Sequence, residues 1–171
     1  LKQAFDVNAL LQRQADCISV MTYNEYGQVL DAGISEDQLV TFNYLEEGVG
    51  VMEDGLYVLE NRLEDPAFVD QMVRFVRASM KGWKYAEENP DEAAEIVVDN
   101  DETGAQTLAH QQYMMSEVAK LTAGSNGALD PADYEQTVAT LLSAVSPDNP
   151  AITRAPEGMA WTHMITDQAL D

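Results

Sequence analysis

The residues best suited to chemistry stand together at Thr22-Tyr23-Asn24-Glu25. Tyr23 offers a flat aromatic face and a hydroxyl. Asn24 donates and accepts at once, and a carboxylate at Glu25 accepts two hydrogen bonds or balances a cation. Together they suit a planar, nitrogen-rich, neutral or cationic small molecule. The same residues have a structural reading, in which Asn24 caps a helix and Glu25 complements its dipole. On spacing alone the two readings are evenly matched. Glu53 and Asp54, just beyond Gly48-Val49-Gly50, form a weaker candidate, as part of a crossover segment facing a cleft. For Glu46 and Glu47 an ordinary solvated loop is preferred.

Other chemistries find little support. There is no glycine-rich phosphate loop, no Gly-x-Ser-x-Gly elbow and no paired metal-binding histidines. His110 and His163 each lie in a helical pattern, which favours surface or structural roles. Carboxylates are so numerous that any acid–base pair chosen from them would be arbitrary. The single cysteine, Cys17, sits in an apolar run, where a buried small hydrophobe is favoured over a nucleophile. No catalytic residue, metal or cofactor is therefore expected.

The elements around the turn follow from periodicity. Cys17 to Met21 is a short apolar run with β-branched residues, and Tyr26 to Ala32 is helical with Gly33 as its left-handed stop. This strand–turn–helix order matters because ligands of open α/β sheets sit beyond the carboxyl ends of the strands. Upstream, Phe5 to Gln14 predicts a helix capped by Asp6 or Asn8. Downstream, Ser35 to Gln38 has capping-box spacing. Leu39 to Tyr44 alternates as a half-buried strand, and Leu56 to Leu59 is a third strand candidate.

From Asp65 the pattern turns helical. Pro66 occupies the first helical position, and Phe68, Val69, Met72, Val73, Val76, Met80 and Trp83 form a long apolar stripe. Further helices are expected from Asn89-Pro90, from Asp101 or Thr103 as cap, and from Asp130-Pro131 through Val145. A last one falls in the tail around Met159, Trp161, Met164 and Ile165. Three short strands make a thin sheet for this many helices. That imbalance leads to the expectation that other chain completes the sheet.

The 171 residues suffice for one large domain or two small lobes, and 46% are hydrophobic. Lys plus Arg is 9 against 30 Asp plus Glu, a formal charge of −21. Such a field repels phosphate backbones and anionic lipid, so nucleic acid is not an expected partner. No apolar run reaches the ~18 residues that span a membrane. Leu1 stands first and no signal-peptide pattern follows, so the chain is expected to be a processed product or a fragment.

Gln12-Arg13-Gln14-Ala15-Asp16, the apolar run and Tyr23-Asn24-Glu25 together resemble a segment of the solute-binding proteins of ABC transporters. The closest group is the nitrate/sulfonate/taurine and thiamine-pyrimidine type. Glu47-Gly48-Val49-Gly50-Val51-Met52-Glu53-Asp54-Gly55-Leu56 is similar to the strand that returns the chain between lobes in that family. The most specific marker is Asp65-Pro66-Ala67-Phe68-Val69 through Phe75-Val76-Arg77-Ala78-Ser79-Met80-Lys81-Gly82-Trp83-Lys84-Tyr85-Ala86 to Asn89-Pro90-Asp91-Glu92-Ala93-Ala94. The likeness runs from about Phe5 to the tail and weakens between Asp99 and Pro150.

This resemblance implies an α/β, periplasmic-binding-protein-like (type II) two-lobe fold, of which the chain supplies a C-terminal portion. Residues 1–48 would belong to lobe two, and residues 49–171 to the return crossover and the helical end of lobe one. The N-terminal half of the same protein, an ABC permease and a small solute become the expected partners, with a periplasmic location. Thr22, Tyr23, Asn24, Glu25, Glu53 and Asp54 become the expected ligand-binding residues. The Tyr-Asn-Glu turn resembles the version that goes with pyrimidine precursors of thiamine. Nitrate or sulfonate would want arginine, backbone N–H groups and hydroxyls. Nitrate, sulfonate or taurine binding is the alternative. A thiamine-pyrimidine synthase-like enzyme is disfavoured, because such enzymes need a histidine, an iron-holding cysteine motif and a pyridoxal phosphate lysine.

Overall fold

The computed structural model describes residues 3–144, 151–158 and 160–170. They form two compact units, Leu1–Val40 with Lys81–Gly124, and Thr41–Met80 with Ser125–Asp171. Both units are helical, and no strand occurs among the described residues.

The first unit holds α1 (Asn8–Leu11), α2 (Glu25–Asp31), α4 (Pro90–Asp99) and α5 (Leu108–Thr122). Local chemistry accounts for their ends. The Asp6 carboxylate accepts from the Asn8 N–H at 2.9 Å, and Gly33 takes a φ of 87° where α2 stops. The capping-box spacing after Gly33 closes a single 3-10 turn, Glu36–Gln38, in which Gln38 Oε1 accepts from the Ser35 N–H at 3.0 Å. Pro90 opens α4, while Asn89 turns back to donate to the Tyr85 carbonyl at 2.9 Å. The cap of α5 is neither Asp101 nor Thr103 but Thr107, whose hydroxyl accepts from the His110 N–H at 3.3 Å. Within this unit α4 packs along α5, and α2 packs against α5.

The second unit holds α6 (Pro131–Ser143) and α7 (Thr166–Ala169). It also takes the N-terminal part of α3 (Pro66–Glu88), a helix that both units share. Asp65 caps α3 by accepting from the Ala67 N–H at 2.9 Å, and Asp130 caps α6 from Ala132 at 2.8 Å. The apolar stripe of α3 makes this unit's core only in its first half. Val73 and Val76 are buried with Ala169, and Val69, Met80, Ile165 and Leu170 pack around them. Trp83, further along the stripe, is exposed. Arg77 fastens α7 to this core, its guanidinium donating to the Gln168 and Ala169 carbonyls at 2.7 and 3.2 Å. The tail therefore folds as the single turn α7 rather than a long helix. Val145 and Met159, assigned to helices from the sequence, lie outside the described residues.

The stretches expected as strands, 17–21, 39–44 and 56–59, form no strand. A strand is defined by its ladder, and no segment of the described chain offers these stretches one. Residues 17–21 are irregular, and a side chain fills part of the gap. The amide of Gln3 donates to the Ser19 carbonyl at 2.6 Å and accepts from the Ser19 N–H at 3.0 Å. Cys17, expected to be buried in that strand, is exposed because no sheet covers it. Val40, Phe42, Tyr44, Leu56, Tyr57 and Leu59 are exposed for the same reason. α6 holds the chain between the second and third stretches, with the Gln136 amide donating to the Gly48 carbonyl at 3.1 Å and the Thr137 hydroxyl accepting from the Met52 N–H at 2.9 Å.

Candidate functional site

The Thr22–Glu25 turn is built by Glu25. This carboxylate is only 4% exposed. Its Oε2 accepts from the Met21 N–H at 2.9 Å and its Oε1 from the Asn24 amide at 3.3 Å. Glu25 thus faces inward and ties the turn to the start of α2, where a negative charge also meets the helix dipole. The Thr22 carbonyl accepts from the Tyr113 hydroxyl at 2.6 Å. Burial, then the nearby charges of Glu117, Asp31 and Glu36 and the Tyr26 phenol, push the Tyr113 phenol above its usual range, which keeps it a donor. Tyr23 is half-buried. Glu53 and Asp54 belong to the second unit, where both are exposed on irregular chain.

Asn24 is held by its oxygen. Oδ1 accepts from His110 Nε2 at 2.9 Å and from Gln28 at 3.4 Å. Since Asn24 Oδ1 only accepts, His110 carries its proton on Nε2. The ring's Nδ1 lies 3.9 Å from Asp31 and its plane stacks with Tyr113, 6.3 Å between centroids. The orientation of Asn24 is therefore fixed by α5 as well as by α2.

Asn24 borders a cleft of about 630 Å³ inside the first unit. Its other polar lining comes from Asn100, Asp101, Gln106 and Gln111. Ile96, Val97 and Met114 supply the apolar lining. That volume lies within the roughly 300–1,000 Å³ common for small-molecule sites. None of these residues except Asn24 stood out in the sequence. Glutamines and asparagines carry no spacing signature, and only the packing of α4 against α5 brings these together. The one hint was Asp101, a capping-type residue with Thr103 two positions on.

Asp101 organises the loop between α4 and α5. One oxygen accepts from the Thr103 N–H at 2.8 Å and from its hydroxyl at 2.5 Å. The other accepts from the Gln106 N–H at 2.7 Å. These bonds, the Thr103 hydroxyl foremost and then the Gln106 and Thr103 N–H groups, lower the carboxyl from its ordinary 3.8 to about 2. A depressed folded-state value contributes stability above the ordinary range that is lost as pH falls towards the folded value. The loop is therefore expected to lose this contribution progressively as pH falls from the ordinary 3.8 through about 2. Amide shifts of Thr103 and Gln106 followed by NMR should titrate with a midpoint near 2. A midpoint near the ordinary value would mean that the loop does not depend on this carboxylate.

Among the described residues no group of three His, Cys, Asp or Glu side chains is placed to hold a metal ion, and no helix is long and apolar enough to cross a membrane. The family described as NMT1/THI5 like matches residues 2–93. That match covers the turn and stops before the loop that completes the cleft. No curated protein and no solved structure matches the chain.

Proposed function

The chain belongs to the NMT1/THI5-like family, and on that premise we propose that it is the solute-capturing part of an ABC importer whose ligand is a pyrimidine precursor of thiamine. Membership itself carries the coarser statement, a role in solute binding or in the handling of thiamine precursors. In this reading the protein binds and does not catalyse. It works in the periplasm and delivers its ligand to a membrane permease. The chain forms the C-terminal portion of a type II two-lobe protein, with residues 1–48 in lobe two and 49–171 in the return crossover and lobe one. Exposed apolar side chains such as Val40, Phe42, Leu56 and Leu59 support it, since a further sheet would cover them.

The single observation that carries the proposal is the posture of the turn. Glu25 and His110 lock Asn24 at the edge of a cleft large enough for a heterocycle. Tyr23 and Asn24 would meet the solute, with Thr22 and Glu25 holding them in place. Closure around the ligand would then be stabilised by contacts from both lobes.

Calorimetry of the protein against an aminopyrimidine, taurine and nitrate tests this. Heat is expected with the aminopyrimidine. Heat with taurine or nitrate alone would overturn the choice of ligand, and none with any of them would overturn solute capture.

A further inference from the structure

The hydrogen bonds already made inside the cleft leave a particular set of groups for a ligand. Asn24 has spent its oxygen on His110 and Gln28, and one N–H on Glu25. A single N–H remains. Gln111 is 7% exposed. Its amide nitrogen donates to Gln106 Oε1 at 2.6 Å and to Met114 Sδ at 3.4 Å, which leaves Oε1 as an acceptor. Gln106, with its oxygen engaged by Gln111, keeps both N–H groups. Asn100 gives one N–H to the Ile96 carbonyl at 2.7 Å and retains its oxygen and the other N–H.

The cleft thus offers donors and acceptors in mixture, all on uncharged amides. Its one ionised lining group, Asp101, has both oxygens bound by its own loop. No lysine or arginine lines it. A sulfonate or nitrate entering here would meet a carboxylate and no counter-charge. Ile96, Val97 and Met114 suit a flat ring, and a thioether sulfur packs favourably near an aromatic edge.

We propose that Gln106 and Asn100 are the specificity-determining residues of this cleft, and that they select an uncharged heteroaromatic amine by pairing with its adjacent ring nitrogen and amino group. Asn100, with its oxygen and one N–H open, can pair with this donor–acceptor edge in the two-bonded way that asparagine uses on adenine, while Gln106 donates an N–H to a ring nitrogen. Gln111 positions Gln106 for this pairing. The inference rests on the reading of the chain as a solute binder, but it depends on residues beyond the turn.

The test is calorimetry with cytosine as the uncharged probe, at neutral pH, on the parent chain and on Gln106→Leu, Asn100→Leu and Tyr23→Ala. Both amides are exposed, so Asn100→Leu should melt near the parent temperature, whereas Gln106→Leu also leaves the buried Gln111 amide without its acceptor and should melt somewhat lower, so binding is compared well below both transitions. Each is expected to weaken cytosine binding by about tenfold or more, the loss typical when a polar ligand group goes unpaired. Unchanged affinity in both leucine variants, with Tyr23→Ala losing binding, would overturn this inference and leave solute capture intact. Binding of nitrate or taurine but not cytosine would overturn the ligand class. Absence of heat with all three probes would remove the inference together with the reading it rests on.

Discussion

Glu25→Ala should lower stability by about 2–4 kcal/mol, the sum expected for a buried hydrogen-bonding side chain whose partners are left unpaired in a small cavity. The residue is almost wholly buried, and its carboxylate joins the Met21 backbone to the Asn24 side-chain amide. Glu25→Gln discriminates further. A glutamine can keep the bond to the Met21 N–H, but its new NH₂ would then face the NH₂ of Asn24. Asn24 cannot turn over to relieve this, because its oxygen is bound by His110. The glutamine variant should therefore lose about 1–2 kcal/mol despite its matching shape. Urea denaturation measures both. A parent-like midpoint for Glu25→Ala would show that the carboxylate holds nothing, and would return Glu25 to the role of a direct ligand contact.

The consequence reaches binding, because a loosened turn lets Asn24 rotate. Affinity for an aminopyrimidine should fall in both variants even though Glu25 does not itself line the cleft. This separates a residue that positions from one that touches. Restoring the hydrogen bonds restores a positioned turn, whereas a charge lost from direct contact would matter most for cationic ligands.

What the sequence revealed was mostly what neighbouring residues settle among themselves. Asp65 with Pro66, Asp130 with Pro131, and Gly33 at the end of α2 behave as their side-chain chemistry dictates. The capping box at Ser35 is of the same kind. Competition between equal candidates was not legible. Asp101, Thr103 and Thr107 are all good caps, and Thr107 caps α5 because Asp101 and Thr103 are consumed by the loop. Pairing was not legible either. Alternation from Val40 to Tyr44 states which face would be buried, but a ladder needs a partner that the described chain does not supply. The cleft was the least visible feature, since Gln106 in the loop before α5 and Gln111 on α5 acquire meaning only once folding brings them to the same cleft as Ile96 and Val97. The turn was found by residue type, yet its carboxylate was assigned to the ligand side, and the structure turns it towards Met21.

Gly27→Ala is the second large effect. Gly27 lies in α2 with an ordinary helical backbone, where alanine alone would favour the helix. The obstacle is Tyr113, since a Cβ on residue 27 would stand 2.4 Å from Tyr113 Cε1 and 2.7 Å from Cδ1. The ring cannot swing aside cheaply, because its hydroxyl is committed to the Thr22 carbonyl. Overpacking of about 1–3 kcal/mol, plus about 1 kcal/mol if that hydrogen bond breaks, should outweigh the gain in propensity. Net of a propensity gain of about 1 kcal/mol, this corresponds in a chain of this size to a fall in Tm of roughly 2–12 °C. A double-mutant cycle identifies the cause. Tyr113→Ala alone costs stability by removing packing, but combined with Gly27→Ala it leaves room for the new methyl group. The pair should then be less destabilised than the sum of the single changes by about 1 kcal/mol or more. Strict additivity would mean that α2 and α5 do not meet through this glycine.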